Sequence, residues 1–211
     1  MAEDIQRLEN GLAFVQDELV PELAIGLVTL ADARTVRMSE LLDLLDRDAR
    51  DVVLLGFSWR MVLPVSAGSG TMAWEDARMP MHDRERLKMP QVVRLLVKQA
   101  CSSGSWQPDR VLNRTSPLLA DDAGRMEQLC STILQYAPGQ VISANELRAA
   151  FRETGIQRPM DTLIAHWKGA GVISPRLSSL SSVSAHRSPL YELNPSVFLA
   201  VSSHDVEEGH P

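Results

Sequence analysis

The side chains best suited to chemistry are few and scattered. Five histidines (His82, His166, His186, His204 and His210) and two cysteines (Cys101 and Cys130) are spread over 211 residues. None has the spacing that would let it share a metal ion with another. Both cysteines fall within apolar helical patterns and read as buried thiols, which suits a reducing compartment. Gly68-Ser69-Gly70 has strand-forming residues on both sides, whereas a phosphate-binding loop needs a helix after it. It reads as a hairpin tip. His166, beside Trp167, reads as a surface histidine on a helix. No nucleophile elbow, paired-cysteine motif or dinucleotide fingerprint occurs. No enzyme activity, metal or cofactor is expected.

One polar constellation remains. Gln157, Arg158, Thr162 and Lys168 lie off the apolar stripe of one predicted helix, and Arg176, His186 and Arg187 lie at the two roots of a nearby loop. Glutamine and arginine at a helix start can read base edges, and the other cations can neutralise phosphates. So few cations would bind weakly and with strong salt dependence. An ordinary solvated face is the alternative reading.

The elements that would position this set run from Asp122 to Tyr191. Met126, Leu129, Cys130, Ile133 and Leu134 recur as on a helix buried on one side. Gln140-Val141-Ile142 is a short strand, and Ser143-Ala144-Asn145-Glu146 fits a capping box. Leu147, Ala150 and Phe151 face inward on the helix that follows, which Gly155 closes. Pro159 starts a third helix, lined by Met160, Leu163, Ile164 and Trp167. Val172-Ile173-Ser174 and Leu190–Leu193 are hairpin strands around a serine-rich loop, 175–189.

A weaker copy of this order stands upstream. Pro21 opens an apolar helix to about Arg34, Thr35-Val36-Arg37 is strand-like, and Ser39 caps a helix through Asp46. Asp48 caps the next helix, which Gly56 is expected to stop. Phe57–Val65 and Thr71–Trp74 are expected to form the hairpin. Before this copy, Ile5, Leu8, Leu12, Val15 and Leu19 recur at the a/d spacing of a coiled-coil seam. That helix packs on its own domain or supplies a dimer contact. After it, residues 75–89 read as a connector, and Pro90 opens a helix to about Ser102. The expected organisation is residues 1–105 as a first unit, 106–120 as a polar linker, 121–201 as a second unit and 202–211 as a loose acidic tail.

This succession resembles the winged-helix superfamily, and its occurrence twice resembles tandem winged-helix proteins. The fold class expected is mainly α with small β-hairpins. In that family the third helix usually enters the DNA major groove and the wing touches the neighbouring backbone, while many members turn the same surfaces to protein. The resemblance implies double-stranded DNA at the second unit, with the N-terminal region as a dimerisation or sensing unit. The rival is a protein-interaction scaffold.

Charge separates these readings only partly. Residues 1–80 carry 14 acidic and 7 basic side chains, residues 81–120 carry 3 and 7, and residues 121–200 carry 7 of each. The acidic first half suits a protein partner, and its third helix begins with Asp48 and Asp51, which would repel phosphates. RNA on the basic middle segment, Arg84 to Arg114, is a third reading. At 45% hydrophobic and 23% charged the chain can bury a core. No apolar run reaches the ~20 residues of a membrane span, and a cytoplasmic location is expected.

Overall fold

The computed structural model describes residues 1–45, 49–65, 74, 82–176 and 188–202. Ten α-helices and two three-stranded antiparallel sheets occur among them, so the fold is mainly α with small sheets.

Helix α1 (Ala2–Gly11) leads into α2 (Val20–Asp32), whose Leu23, Ala24, Leu27, Leu30 and Ala31 are buried. The Asp17 carboxylate accepts the Leu19 backbone N–H at 2.9 Å as α2 begins. At its other end the Arg94 guanidinium donates to the carbonyls of Ala31 and Ala33, two groups left without helical partners. Strand β1 (Val36–Arg37), α3 (Met38–Leu45), α4 (Ala49–Ser58), β2 (Leu63–Pro64) and β3 (Arg86–Lys88) complete the first half. β3 lies between β1 and β2, with Leu87 opposite both Val36 and Pro64.

Two expectations are corrected here. Gly56 does not stop α4, which continues through Phe57 and Ser58. Its role is to leave room, since a Cβ there would lie 2.7 Å from Val62 Cγ2. The chain reverses instead at Arg60, which is left-handed at φ 55°, and the Gly56 carbonyl accepts the N–H groups of Met61 and Val62. Residues 71–73 of the expected hairpin strand lie outside the described residues, and the strand seen to pair with β2 comes from elsewhere. It is β3, inside the expected connector, where only Leu87 is fully buried between two cations. The Gly68–Gly70 tip and Asp48 lie outside the described residues, while Trp74 is buried.

Helix α5 (Gln91–Ser103) packs on α1 and α2. A Cβ on Gly11 would approach the Ala100 Cβ to 3.1 Å, so the glycine brings α1 close to α5. The following stretch, expected as a polar linker, is packed. Helix α6 (Asp109–Leu112) and 3-10 turns at Asn113–Thr115 and Pro117–Arg125 bury Trp106, Val111, Leu112 and Leu119. The Trp106 indole N–H donates to the Ser196 carbonyl at 2.7 Å. Isolated apolar residues in short irregular turns leave no helical period, and so the stretch resembles a linker by composition.

The second half comprises α7 (Met126–Tyr136), β4 (Val141–Ser143), α8 (Ala144–Glu153), α9 (Met160–Ala170), β5 (Ile173–Pro175), β6 (Leu190–Leu193) and α10 (Pro195–Ser202). Its sheet order is β4-β6-β5, matching the first in topology. The capping box at Ser143 is formed in both directions: Ser143 Oγ accepts from Glu146 N at 3.1 Å, and Glu146 Oε2 accepts from Ser143 N at 2.8 Å. Helix α10, absent from the sequence reading, buries Val197, Phe198 and Ala200. Buried side chains from Leu8 to Ala200 form one continuous core.

Candidate interaction surfaces

Of the residues expected to contact nucleic acid, Gln157 and Arg158 lie in the turn between α8 and α9 and Thr162 near the start of α9, while Lys168 lies near its far end. Ala144, Leu147, Ala150 and Phe151 fix the inner face of α8, leaving Arg148 and Arg152 exposed four residues apart. The helix ends at Thr154, whose hydroxyl donates to the Ala150 carbonyl at 3.1 Å, and Gly155 takes φ 71°. Buried Ile156 then anchors the turn into α9. Leu163, Ile164, Trp167 and Ala170 face the core from α9, and the Trp167 and Phe151 rings meet at 5.3 Å and 56°. What α9 exposes is Asp161, Thr162, Ala165 and Gly169, with His166 and Lys168 half-buried. This outward face carries little positive charge.

Arg158 does not stand free at the helix start. Its Nε donates to the Leu118 carbonyl at 2.6 Å, and Nη2 lies 2.9 Å from Asp122 Oδ2 in an ionic contact. Asp122 is buried and also pairs with Arg125 Nη1 at 3.3 Å, and Arg125 reaches on to the Gly155 carbonyl. Arg158 therefore fastens the 3-10 turn before α7 to the start of α9. That corrects its expected place as an exposed reader of bases. Gln157 and Thr162 are exposed as expected. Arg176 is exposed at the end of β5, where its backbone N–H donates to Leu190. His186 and Arg187 lie outside the described residues, as do residues 177–185.

Beside Arg158 the corner opens into a cleft of about 400 Å³. Phe151, Ile156 and Met160 give it an apolar lining, with Arg148, Arg152, Gln157 and Asp161 around them. Arg148 donates to the Asn145 side chain at 3.0 Å. Neither Arg148 nor Arg152 forms an ion pair among the described residues.

The first half presents a different surface. A groove of about 680 Å³ is lined by Asp17, Glu18, Glu22 and Asp51, with Gln16 and Leu19. Leu44 on α3 and Leu54 on α4 are 48% and 43% exposed, among the largest apolar exposures described. The seam considered for dimerisation is not such a surface. Leu8 and Leu12 are wholly buried, Val15 nearly so, and Ile5 and Leu19 pack half-buried against the same core. A short amphipathic helix has one apolar face, and here α5 and α2 cover it.

Ser116, His166 and the two cysteines are chemically suggestive groups among the described residues. Ser116 Oγ lies 2.7 Å from His166 Nδ1, but the serine is 1% exposed and its oxygen also accepts the Leu118 N–H at 3.2 Å. It caps a turn and is closed to substrate. Burial pushes the Cys130 thiol up to about 12, and burial also raises that of half-buried Cys101. Neither is an activated nucleophile. Among the described residues, no group of three histidine, cysteine or carboxylate side chains is placed to hold a metal ion. No described helix is long and apolar enough to cross a membrane.

A protein-family model matches residues 18–203, beginning after α1. No curated protein and no solved structure matches the chain.

Proposed function

We propose that this chain, which belongs to the family whose model spans residues 18–203, is a non-enzymatic subunit of two fused winged-helix units whose partner is a protein. The winged-helix reading is supported by the repeated order of helix, strand, two helices and two strands, with the last strand central in each sheet. The observation that carries the choice of partner is the outer face of α9. A helix reading a major groove needs polar and cationic side chains on that face. Here it offers Asp161, Thr162, Ala165 and Gly169, and the arginine at its start is held by Asp122. The corresponding helix of the first unit, α4, exposes Arg50, Asp51, Leu54 and Ser58, and Arg50 pairs with Asp83 at 3.2 Å. An exposed leucine beside an acidic groove suits a protein partner and repels a polyanion.

Duplex DNA is the second reading, supported by exposed Gln157 and Thr162 with Lys168 at the far end of α9. Two measurements separate them. Fluorescence anisotropy of labelled duplex DNA at low and moderate salt is expected to show no saturable binding. A photo-crosslinking residue placed at Leu54 or Thr162 in living cells is expected to yield protein adducts. Salt-sensitive DNA binding, with nucleic-acid adducts at Thr162, would overturn the protein reading.

A further inference from the structure

We propose that the cleft between the end of α8 and the start of α9 binds an acidic peptide segment, with a glutamate or aspartate on Arg148 and Arg152 and a neighbouring apolar side chain on Met160. This rests on the protein-partner reading and gives the chemistry of one partner segment. Arg148 and Arg152 are four residues apart on one helix, so their side chains project from the same face. Both are exposed and neither meets a carboxylate among the described residues. The third cation in the cleft, Arg158, is anchored to Asp122 and Leu118, which makes it a fixed wall.

The rest of the lining decides which anion fits. Met160 is half-buried and is the reachable apolar side chain of the lining, while Phe151 and Ile156 are buried, and the volume of about 400 Å³ suits one or two side chains. A phosphodiester chain would gain nothing from that lining. A peptide with one or two carboxylates beside a leucine satisfies both parts: the arginines take the acid and the lining takes the leucine. Its charge is complementary to the α8 rim and its apolar neighbour to the lining.

The test uses the full chain and a short fluorescein-labelled peptide in which glutamates flank a central leucine. Its glutamine counterpart and a labelled DNA duplex serve as comparisons. The glutamate peptide is expected to saturate below ~1 mM. The glutamine peptide, and the double variant Arg148→Ala with Arg152→Ala, should each bind about tenfold more weakly. Both arginines are on the surface, so the variant should keep its melting temperature. As a second check, Arg148→Glu with Arg152→Glu should prefer a lysine-for-glutamate peptide. Equal binding of the glutamate and glutamine peptides, no saturation by ~1 mM, or indifference to the double variant overturns the proposal. If it falls while Leu54 still crosslinks to protein, only the cleft assignment is lost. Nucleic-acid crosslinks would remove the subunit reading as well.

Discussion

Arg60 and Glu192, 132 positions apart, join the two halves through one carboxylate oxygen, which accepts from the guanidinium Nε at 3.1 Å and Nη2 at 2.9 Å. Both side chains are largely buried, at 15% and 17% exposure. The same guanidinium donates to the Phe57 carbonyl and sits 4.8 Å over the Phe57 ring. Around it, Asn194 Nδ2 donates to the carbonyl of Arg60 at 3.4 Å, and the Trp74 N–H donates to Ser174 Oγ at 3.0 Å. Contacts of this kind fix the relative position of the two units, and with it the spacing between the α4 and α9 surfaces.

Removing one partner should therefore cost more than a surface ion pair would. Arg60→Ala leaves the Glu192 carboxylate half-desolvated, and a loss of about 2–4 kcal/mol is expected in urea unfolding. Glu192→Gln keeps an acceptor for the guanidinium and should cost less, about 1–2 kcal/mol. If both variants unfold at the wild-type urea midpoint, the clamp holds nothing.

Gly171 and Gly169 give a paired prediction on the same helix end. Gly171 is left-handed at φ 76°, and a Cβ there would come within 2.5 Å of the Pro90 Cβ, at the start of α5. Gly171→Ala should destabilise by about 2 kcal/mol or more through backbone strain and displacement of Pro90. Gly169 lies inside α9 with open space at its Cβ. Gly169→Ala should raise stability by about 0.5–1 kcal/mol. Thermal unfolding of both variants checks the contrast, and the two shifts should have opposite signs.

How far the sequence reveals this architecture depends on whether a residue's role is local. The Ser143–Glu146 capping box and the apolar stripes of α7 and α9 depend on neighbours within one or two turns, and they are legible. Strand β3 is three residues long, and its identity comes from Val36 and Pro64 on either side of Leu87, which no local pattern reveals. Gly56 reads locally as a stop; its actual neighbour, Val62, comes from a reversed chain. Trp106 looks like a linker residue until Ser196 is brought to it from the far end of the chain. At the α8–α9 corner, the types and exposure of Gln157 and Thr162 could be read. The engagement of Arg158 could not, because Asp122 and Leu118 reach it from a 3-10 turn without periodic signal.

Arg158 accordingly belongs to stability. Arg158→Ala leaves buried Asp122 with only Arg125 as an ion-pair partner and leaves the Leu118 carbonyl without its guanidinium donor. A loss of about 1–2 kcal/mol is expected. Asp122→Asn in the same background should recover part of it, since a neutral amide is cheaper to bury than a carboxylate lacking its partner. Unfolding of the single and double variants by urea measures both steps. A wild-type midpoint for Arg158→Ala would show that the contact is incidental and free the residue for a binding role.

Cys130 supplies a pH-dependent prediction. Burial raises its thiol from the ordinary 9.0 to about 12, because the charged thiolate would lie in the apolar core between α7 and its neighbours. Between these values the unfolded chain releases the proton while the folded chain retains it. The folded state then binds more protons, so the contribution to stability is full below pH 9.0 and declines as pH rises toward 12. The limiting slope is about 1.4 kcal/mol per pH unit. Tyrosines and lysines titrate in the same range, so the useful quantity is a difference between variants. The stability excess of the wild type over Cys130→Ala, measured in urea, should shrink as the pH is taken from about 8 to about 10. In the native protein at neutral pH, iodoacetamide should modify half-buried Cys101 well before Cys130. Rapid alkylation of Cys130 under native conditions would mean that the α7 face opens far more readily than its burial implies, and the pH effect should then vanish with it.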